Sequence, residues 1–482
     1  MYDTLNRLQT LTPPTAFSGT GNFGFSYDAL SRRTQMTRPN GLKSVYAYDS
    51  LSRLLSVLHQ SGSTTLDGAS YAVDNAGNRT SKTDQLANVT SNYTYDPLYQ
   101  LTQVTQATTT TENYTYDPVG NRLSSLGVSP YNVNTSNELT STPSTTYTYD
   151  SNGNTQTKVV GTNTTTYAWD FENRMTSVTL PGSGGTVSFK YDPLGRRIYK
   201  SSLSGTSVYA YDGNNLVEET NSSGAVVARY EPTQNIDEPL AMLRSGATSY
   251  YHADGLGSVT SLSNAAGSIA NTYTYDSFGK LTASTGSLVN PFRYTARESD
   301  TETGLYYYRA RYYDSNAGRF LSEDPWDADP MYDGSNLYLY VENKPNDSID
   351  PFGLYVMNPG VPPPSPALDK FLSCLERKVG NLGGPLPLVV TSTTDSKHQD
   401  PGHKAGTSVD VRPPGIPSTK VFCAAGQCGA QWGLKETPGG QSFKYTNGYN
   451  DHFQLVPPQH PSPKAPNAIP PGCQPGGCPA QP

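Results

Sequence analysis

Tyr116-Asp117-Pro118-Val119-Gly120-Asn121-Arg122 is one statement of a phrase that returns along most of this chain. It recurs as Tyr2-Asp3-Thr4-Leu5-Asn6-Arg7-Leu8, Tyr27-Asp28-Ala29-Leu30-Ser31-Arg32-Arg33, Tyr48-Asp49-Ser50-Leu51-Ser52-Arg53-Leu54 and Tyr191-Asp192-Pro193-Leu194-Gly195-Arg196-Arg197. Shorter forms stand at Tyr95-Asp96, Tyr149-Asp150, Trp169-Asp170, Tyr211-Asp212 and Tyr275-Asp276. Most intervals are roughly 20–25 residues, a period typical of stacked repeats. Alternating Tyr-x-Tyr precedes each Asp, and another alternating stretch such as Leu101-Thr102-Gln103-Val104 follows the turn. The unit therefore predicts strand, turn, strand. Asp, Gly and Asn supply the local hydrogen bonds and positive φ of the turn, and the Arg is placed to cover the aromatic row or pair with the Asp. A lone hairpin cannot bury its own face, so the units are expected to stack.

Composition agrees with a mainly β chain. Hydrophobic residues make up only 34% of 482, but 35 tyrosines add buriable area and favour pleated sheet. Charged residues, at 16%, are too few for long helices or a coiled coil. The net charge of −7 divides into about −10 up to Leu354 and about +3 beyond it. An acidic body and a weakly basic tail argue against general nucleic-acid affinity. No apolar run approaches the length of a membrane span. Because Met1-Tyr2-Asp3 opens inside a repeat, the chain reads as the C-terminal part of something longer.

The phrase resembles the YD repeat of the RHS family, and the resemblance sharpens near residue 300. Phe292-Arg293-Tyr294-Thr295-Ala296-Arg297-Glu298 leads to Gly304-Leu305-Tyr306-Tyr307-Tyr308-Arg309-Ala310-Arg311-Tyr312-Tyr313-Asp314. Gly318-Arg319-Phe320-Leu321-Ser322-Glu323-Asp324-Pro325 and Asn336-Leu337-Tyr338-Leu339-Tyr340 follow, closed by Asp350-Pro351-Phe352-Gly353-Leu354. In order these are similar to the family's core-associated block. The resemblance implies a spiral sheet of YD hairpins over residues 1–290, forming part of a hollow shell, and a plug over 291–354. It also implies aspartyl self-cleavage after Leu354. Two carboxylates held close cannot both ionise freely, so one is a base and the other an acid. Asp350 matches the motif, and Asp324 is the partner by motif order, with Asp327 and Asp329 as rivals. Without the resemblance, Asp324 and Asp350 would read as turn formers before proline.

Beyond Leu354 the composition changes. All five cysteines and four of the six histidines lie there, among many prolines. Residues 355–364 read as an extended linker and 366–379 as an amphipathic helix after Ser365-Pro366. Leu386–Ser392 reads as a buried strand, and 457–482 as a disordered Pro/Gly-rich tail. A small α+β domain over 355–456 is expected. His403, Asp410 and His452 are candidate ligands of a zinc ion, leaving the fourth position to water. His403-x-x-Gly406-x-Ser408-x-Asp410, Trp432-Gly433 and His452-Phe453-Gln454 resemble the LAS metallopeptidases, which include D-Ala-D-Ala carboxypeptidases, L-alanyl-D-glutamate endopeptidases and Hedgehog-like domains. Pro401, Ser408 and Tyr449 depart from that pattern, Tyr449 where many members carry the catalytic base. Asp451 or Glu436 are the candidate replacements. His398 is read as an exposed loop residue that could assist the metal. Cys423, Cys428, Cys473 and Cys478 read as disulfides or free thiols, with Cys374 left over or paired to the first two; such usage suits an oxidising compartment such as a periplasm.

The expectation is thus an RHS-repeat toxin fragment whose shell releases a zinc peptidase-like effector acting on peptidoglycan peptides in a target's periplasm or wall. The partners it implies are its missing upstream repeats, an immunity protein and a secretion-system component. The alternatives are a nuclease cargo, which would want a basic cleft, and a non-catalytic disulfide-stabilised binding module.

Overall fold

The computed structural model describes residues 1–17, 21–325 and 336–354 in full. Beyond them it describes the backbones of five strands, Val389–Ser392, Ser408–Arg412, Trp432–Lys435, Asp451–Gln454 and Asn467–Ala468. Two units emerge: Met1–Asp324 with Gly334–Gly353, and Pro325–Asp333 with Leu354–Pro482.

Each Tyr-Asp phrase folds into a hairpin turn, and the turn at Asp192 shows why. Its Oδ1 accepts the N–H groups of Leu194 and Arg196 at 2.9 and 3.0 Å, while Oδ2 takes Arg196 Nε at 2.7 Å. Gly195, at φ +79°, closes the loop by donating to the Asp192 carbonyl. These local bonds replace the ladder bonds that the turn must forgo. The Arg pairs with its Asp and also covers an aromatic ring. Arg7, Arg32, Arg174 and Arg196 lie 4.8–5.5 Å from the ring centres of Tyr27, Tyr48, Tyr191 and Tyr211 in the next hairpin. Arg32 also reaches the Asp49 carbonyl at 2.9 Å. These four turns are thereby fastened to their successors.

Eleven strands from Thr10–Leu11 to Arg122–Ser125 form one antiparallel sheet, and sixteen from Asn132–Val133 to Leu281–Thr285 form a second. Every strand pairs with its neighbour in sequence, as expected of stacked hairpins. The two sheets meet along a polar seam. Arg38 Nη2 donates to Tyr251 O at 2.9 Å, His59 Nε2 lies 3.0 Å from Ala253 O, and Thr260 Oγ1 donates to Asp67 at 2.6 Å. His59 and His252 face each other there, ring centres 4.8 Å apart.

Four short strands, Glu298–Asp300, Leu305–Tyr308, Arg311–Asp314 and Arg319–Phe320, form a small sheet in the segment expected to be the plug. Tyr294, Tyr306, Tyr308, Tyr313 and Tyr340 pack there with Phe320, all buried. Their hydroxyls find acceptors: Tyr294, Tyr306 and Tyr313 donate to the carbonyls of Ser277, Gly279 and Phe278 at 2.8–2.9 Å. A tyrosine core is possible only with such partners. Arg197, 1% exposed, ties plug to sheet by pairing with Glu298 at 2.8 Å and Asp300 at 2.5 Å.

In the second unit the strands lie in the order 389–392, 408–412, 451–454, 432–435, 467–468, all antiparallel. The expected helix 366–379 lies outside the described residues. Asn467 and Ala468, in the tail whose composition reads as disordered, sit between prolines and pair with Gly433 and Trp432. Among the described residues no helix is long and apolar enough to cross a membrane.

Candidate functional site

The hairpin Leu305–Tyr308/Arg311–Asp314 has a two-residue loop, Arg309-Ala310, because Tyr308 pairs with Arg311. Asp350-Pro351-Phe352-Gly353 runs across that loop and is gripped by residues 309–311. Arg309 Nη1 donates to Pro351 O, the Ala310 N–H to Phe352 O at 3.0 Å, and Arg311 Nε to Gly353 O. Three successive carbonyls are therefore held by three successive residues. Gly353 has φ +68°, and a Cβ there would stand 2.6 Å from Tyr308 O, so the motif's glycine is a requirement of close approach.

Arg311 also organises the carboxylates. Its Nη2 lies 2.7 Å from Asp324 Oδ2 and 3.4 Å from Asp350 Oδ2. One nitrogen thus binds both candidates, which puts these two oxygens no more than about 6 Å apart. Arg311 Nη1 donates to Leu337 O at 3.0 Å, and the guanidinium carbon lies over the Phe320 ring, 3.7 Å from its centre. Asp350 and Arg311 are each 3% exposed, so the charges interact in a poorly solvated setting. The structure brings Asp324 and Asp350 together as the motif order implies. It adds Arg311, which sequence reasoning passed over as another cation among tyrosines. A signal was present: Arg309 and Arg311 stand on either side of Ala310, where no aromatic repeat calls for two arginines.

Asp327 and Asp329 lie outside the described residues, as do His398, His403, Glu436, Tyr449, Cys374, Cys423, Cys428, Cys473 and Cys478. Asp410 and His452 are on adjacent antiparallel strands and are direct register partners. Asp451 takes the next position, opposite Val411.

The Teneurin YD-shell family model matches residues 74–346, more than half of the chain. The chain belongs to the YD-shell family. The tRNA nuclease WapA of Bacillus subtilis (strain 168) is 34% identical to this YD-shell protein over 233 residues, 46% of this chain and 10% of WapA. Double-stranded DNA deaminase toxin A of Burkholderia cenocepacia (strain H111) is 28% identical over 341 residues, 60% of this chain and 23% of the relative. The YD-shell chain thus spans between a tenth and a quarter of these relatives' lengths. The crystal structure of TcdB2-TccC3 has the same fold, with a TM-score of 0.57 at 22% identity, over 73% of this chain and 21% of that one.

Proposed function

We propose that this YD-shell segment cuts itself after Leu354 and so frees the piece that follows. The observation that carries the reading is the single nitrogen, Arg311 Nη2, bound to both Asp324 and Asp350 beside the gripped chain. One carboxylate takes a proton from water and the other gives one to the leaving amide nitrogen. The water oxygen bonds to the Leu354 carbonyl carbon and the C–N bond to Tyr355 breaks. The products are a carboxylate on Leu354 and an amine on Tyr355, with no further reactant. The full chain run on a denaturing gel tests this. Two bands should replace the 52.0 kDa chain, the smaller beginning at Tyr355 by N-terminal sequencing. One intact band sinks the reading.

For the released piece, the relatives favour a nucleic-acid substrate, since WapA is named a tRNA nuclease and the Burkholderia toxin a DNA deaminase. Neither of these two relatives is named for peptidoglycan, so the nuclease alternative stands ahead of the zinc peptidase. Delivery from a bacterial cell and capture by an immunity protein would accompany either toxin.

The peptidase reading retains one observation of its own. Asp410 and His452, two of the three expected zinc ligands, are register partners on adjacent strands. His403 would complete the set, and zinc, when bound, would activate water. Asp451 or Glu436 would serve as the base. Metal analysis of the cut protein with and without His403→Ala and His452→Ala, beside digests of tRNA, duplex DNA and muropeptides, separates the readings. Zinc lost in the variants together with muropeptide cleavage would establish the peptidase. Nucleic-acid cleavage indifferent to both substitutions would establish the nuclease.

A further inference from the structure

Arg309 occupies a position where the fold has no use for arginine. It is the first central residue of a two-residue hairpin loop and has φ +59°, while Ala310 after it is not in the positive-φ region. That sign pattern belongs to the II′ turn, whose first central position is a glycine position. A residue with a β-carbon is strained there by about 1 kcal/mol. The hairpin gains nothing from the side chain, since Tyr308 and Arg311 pair through their backbones.

The guanidinium is nevertheless fully engaged. Nη1 donates to Pro351 O and lies 3.0 Å from Asp237 Oδ2; Nη2 lies 2.8 Å from Asp237 Oδ1 and 3.1 Å from Asn214 O. Its carbon sits 5.4 Å from the centre of the Phe352 ring. Asp237 is itself at φ +56° and is braced by Arg297, which holds Tyr307 O through Nη2 at 2.8 Å. These contacts fix Pro351 and Phe352. The carboxylates of Asp324 and Asp350 are instead served by Arg311.

We propose that Arg309, oriented by Asp237, is a positioning residue for self-cleavage. It holds the backbone just after Asp350 so that the bond beyond Leu354 is presented to the carboxylate pair. This rests on the self-cleavage reading. Misplacing a reacting bond by about 1 Å costs roughly 100-fold in rate, and a residue that acts through placement lowers the rate without moving the pKa values that shape its pH profile.

The test is a cleavage time course of the full chain made by cell-free synthesis, read on denaturing gels between pH 5 and 9. Arg309→Gly removes the guanidinium and relieves the positive-φ strain, so the hairpin keeps its stability. It should cut at least about tenfold more slowly than wild type at every pH, with an unchanged profile and an unchanged or raised melting temperature. Arg309→Lys should recover part of the rate. Asp237→Asn should slow cutting similarly, and adding it to Arg309→Gly should cost little more. Arg311→Lys, which touches the carboxylates, should change the shape of the profile. Wild-type cutting with Arg309→Gly equally fast, or Arg309→Gly shifting the profile as Arg311→Lys does, overturns the proposal. An uncut wild-type chain overturns the self-cleavage reading and this one with it.

Discussion

Arg311 carries out tasks that a lysine could not. Its fork reaches Gly353 O, Leu337 O and two carboxylates from three nitrogens, and its guanidinium carbon lies over the Phe320 ring. A lysine ammonium keeps the charge but offers one centre with no fixed plane. Arg311→Lys should therefore slow self-cleavage by at least about tenfold while leaving the protein folded, as circular dichroism would verify. Asp350→Asn removes a proton-transfer group outright. General acid–base catalysis is worth roughly 100- to 10,000-fold, so this variant should give a single intact band in overnight gels. Asp324→Asn should do the same, whereas a full rate in either variant would leave the carboxylate pair without a role. The sequence marked both aspartates through their proline-flanked motifs. Arg311 escaped because its partners are brought to it only by the folded hairpin and by a segment some forty residues on.

Hairpin turns and the plug differ sharply in how far their stabilising contacts reach along the chain. At Asp192 every partner lies within four residues, which is why Tyr-Asp-x-x-Gly-Arg could be read as a turn with no structure in hand. Asp192→Ala forfeits a few exposed or part-buried hydrogen bonds and should cost about 1 kcal/mol by urea denaturation. Arg197 reaches Asp300 across 103 residues, and nothing in the local pattern announces that pairing. Burial penalises its charge, but Asp300 and Glu298 override the penalty and hold the guanidinium protonated well above its ordinary range. Arg197→Met leaves Glu298 buried without its cation and Asp300 with Lys200 alone, a loss of about 3 kcal/mol. Equal midpoints for Arg197→Met and Asp192→Ala would refute this ordering. The same logic limits what could be read of the second unit. Cross-strand partners such as Asp410 and His452 were visible as candidates, but their register was not.

The seam between the two large sheets gives the whole protein a pH response. His59 and His252 are almost wholly buried; burial, opposed for His59 by Asp67 and Asp254, lowers His59 to about 4 and His252 well below its ordinary range. The nearby charge of Arg38 adds to the lowering of both. Both rings are thus neutral in the folded state, while unfolded histidines bind protons below about pH 6.5. The unfolded chain then holds more protons, so stability is full above pH 6.5 and declines as the pH falls from there toward 4. For His59 alone the change is on the order of 3 kcal/mol. Melting temperatures at pH 7 and 5 should show the decline, and a double His59→Gln, His252→Gln variant should show a shallower one. An equally steep decline in that variant would point elsewhere in the molecule. No reading of composition could find this seam, because His59 meets Ala253 across 194 residues. The grip on residues 351–353 has a kinetic counterpart at this scale. It is buried and made to backbone carbonyls of the same chain, so one molecule's tail cannot lodge in another's cleft. Cutting should therefore be unimolecular: its half-time should stay constant across a hundredfold dilution, and each molecule should cut once, its own stump left occupying the place of any second substrate.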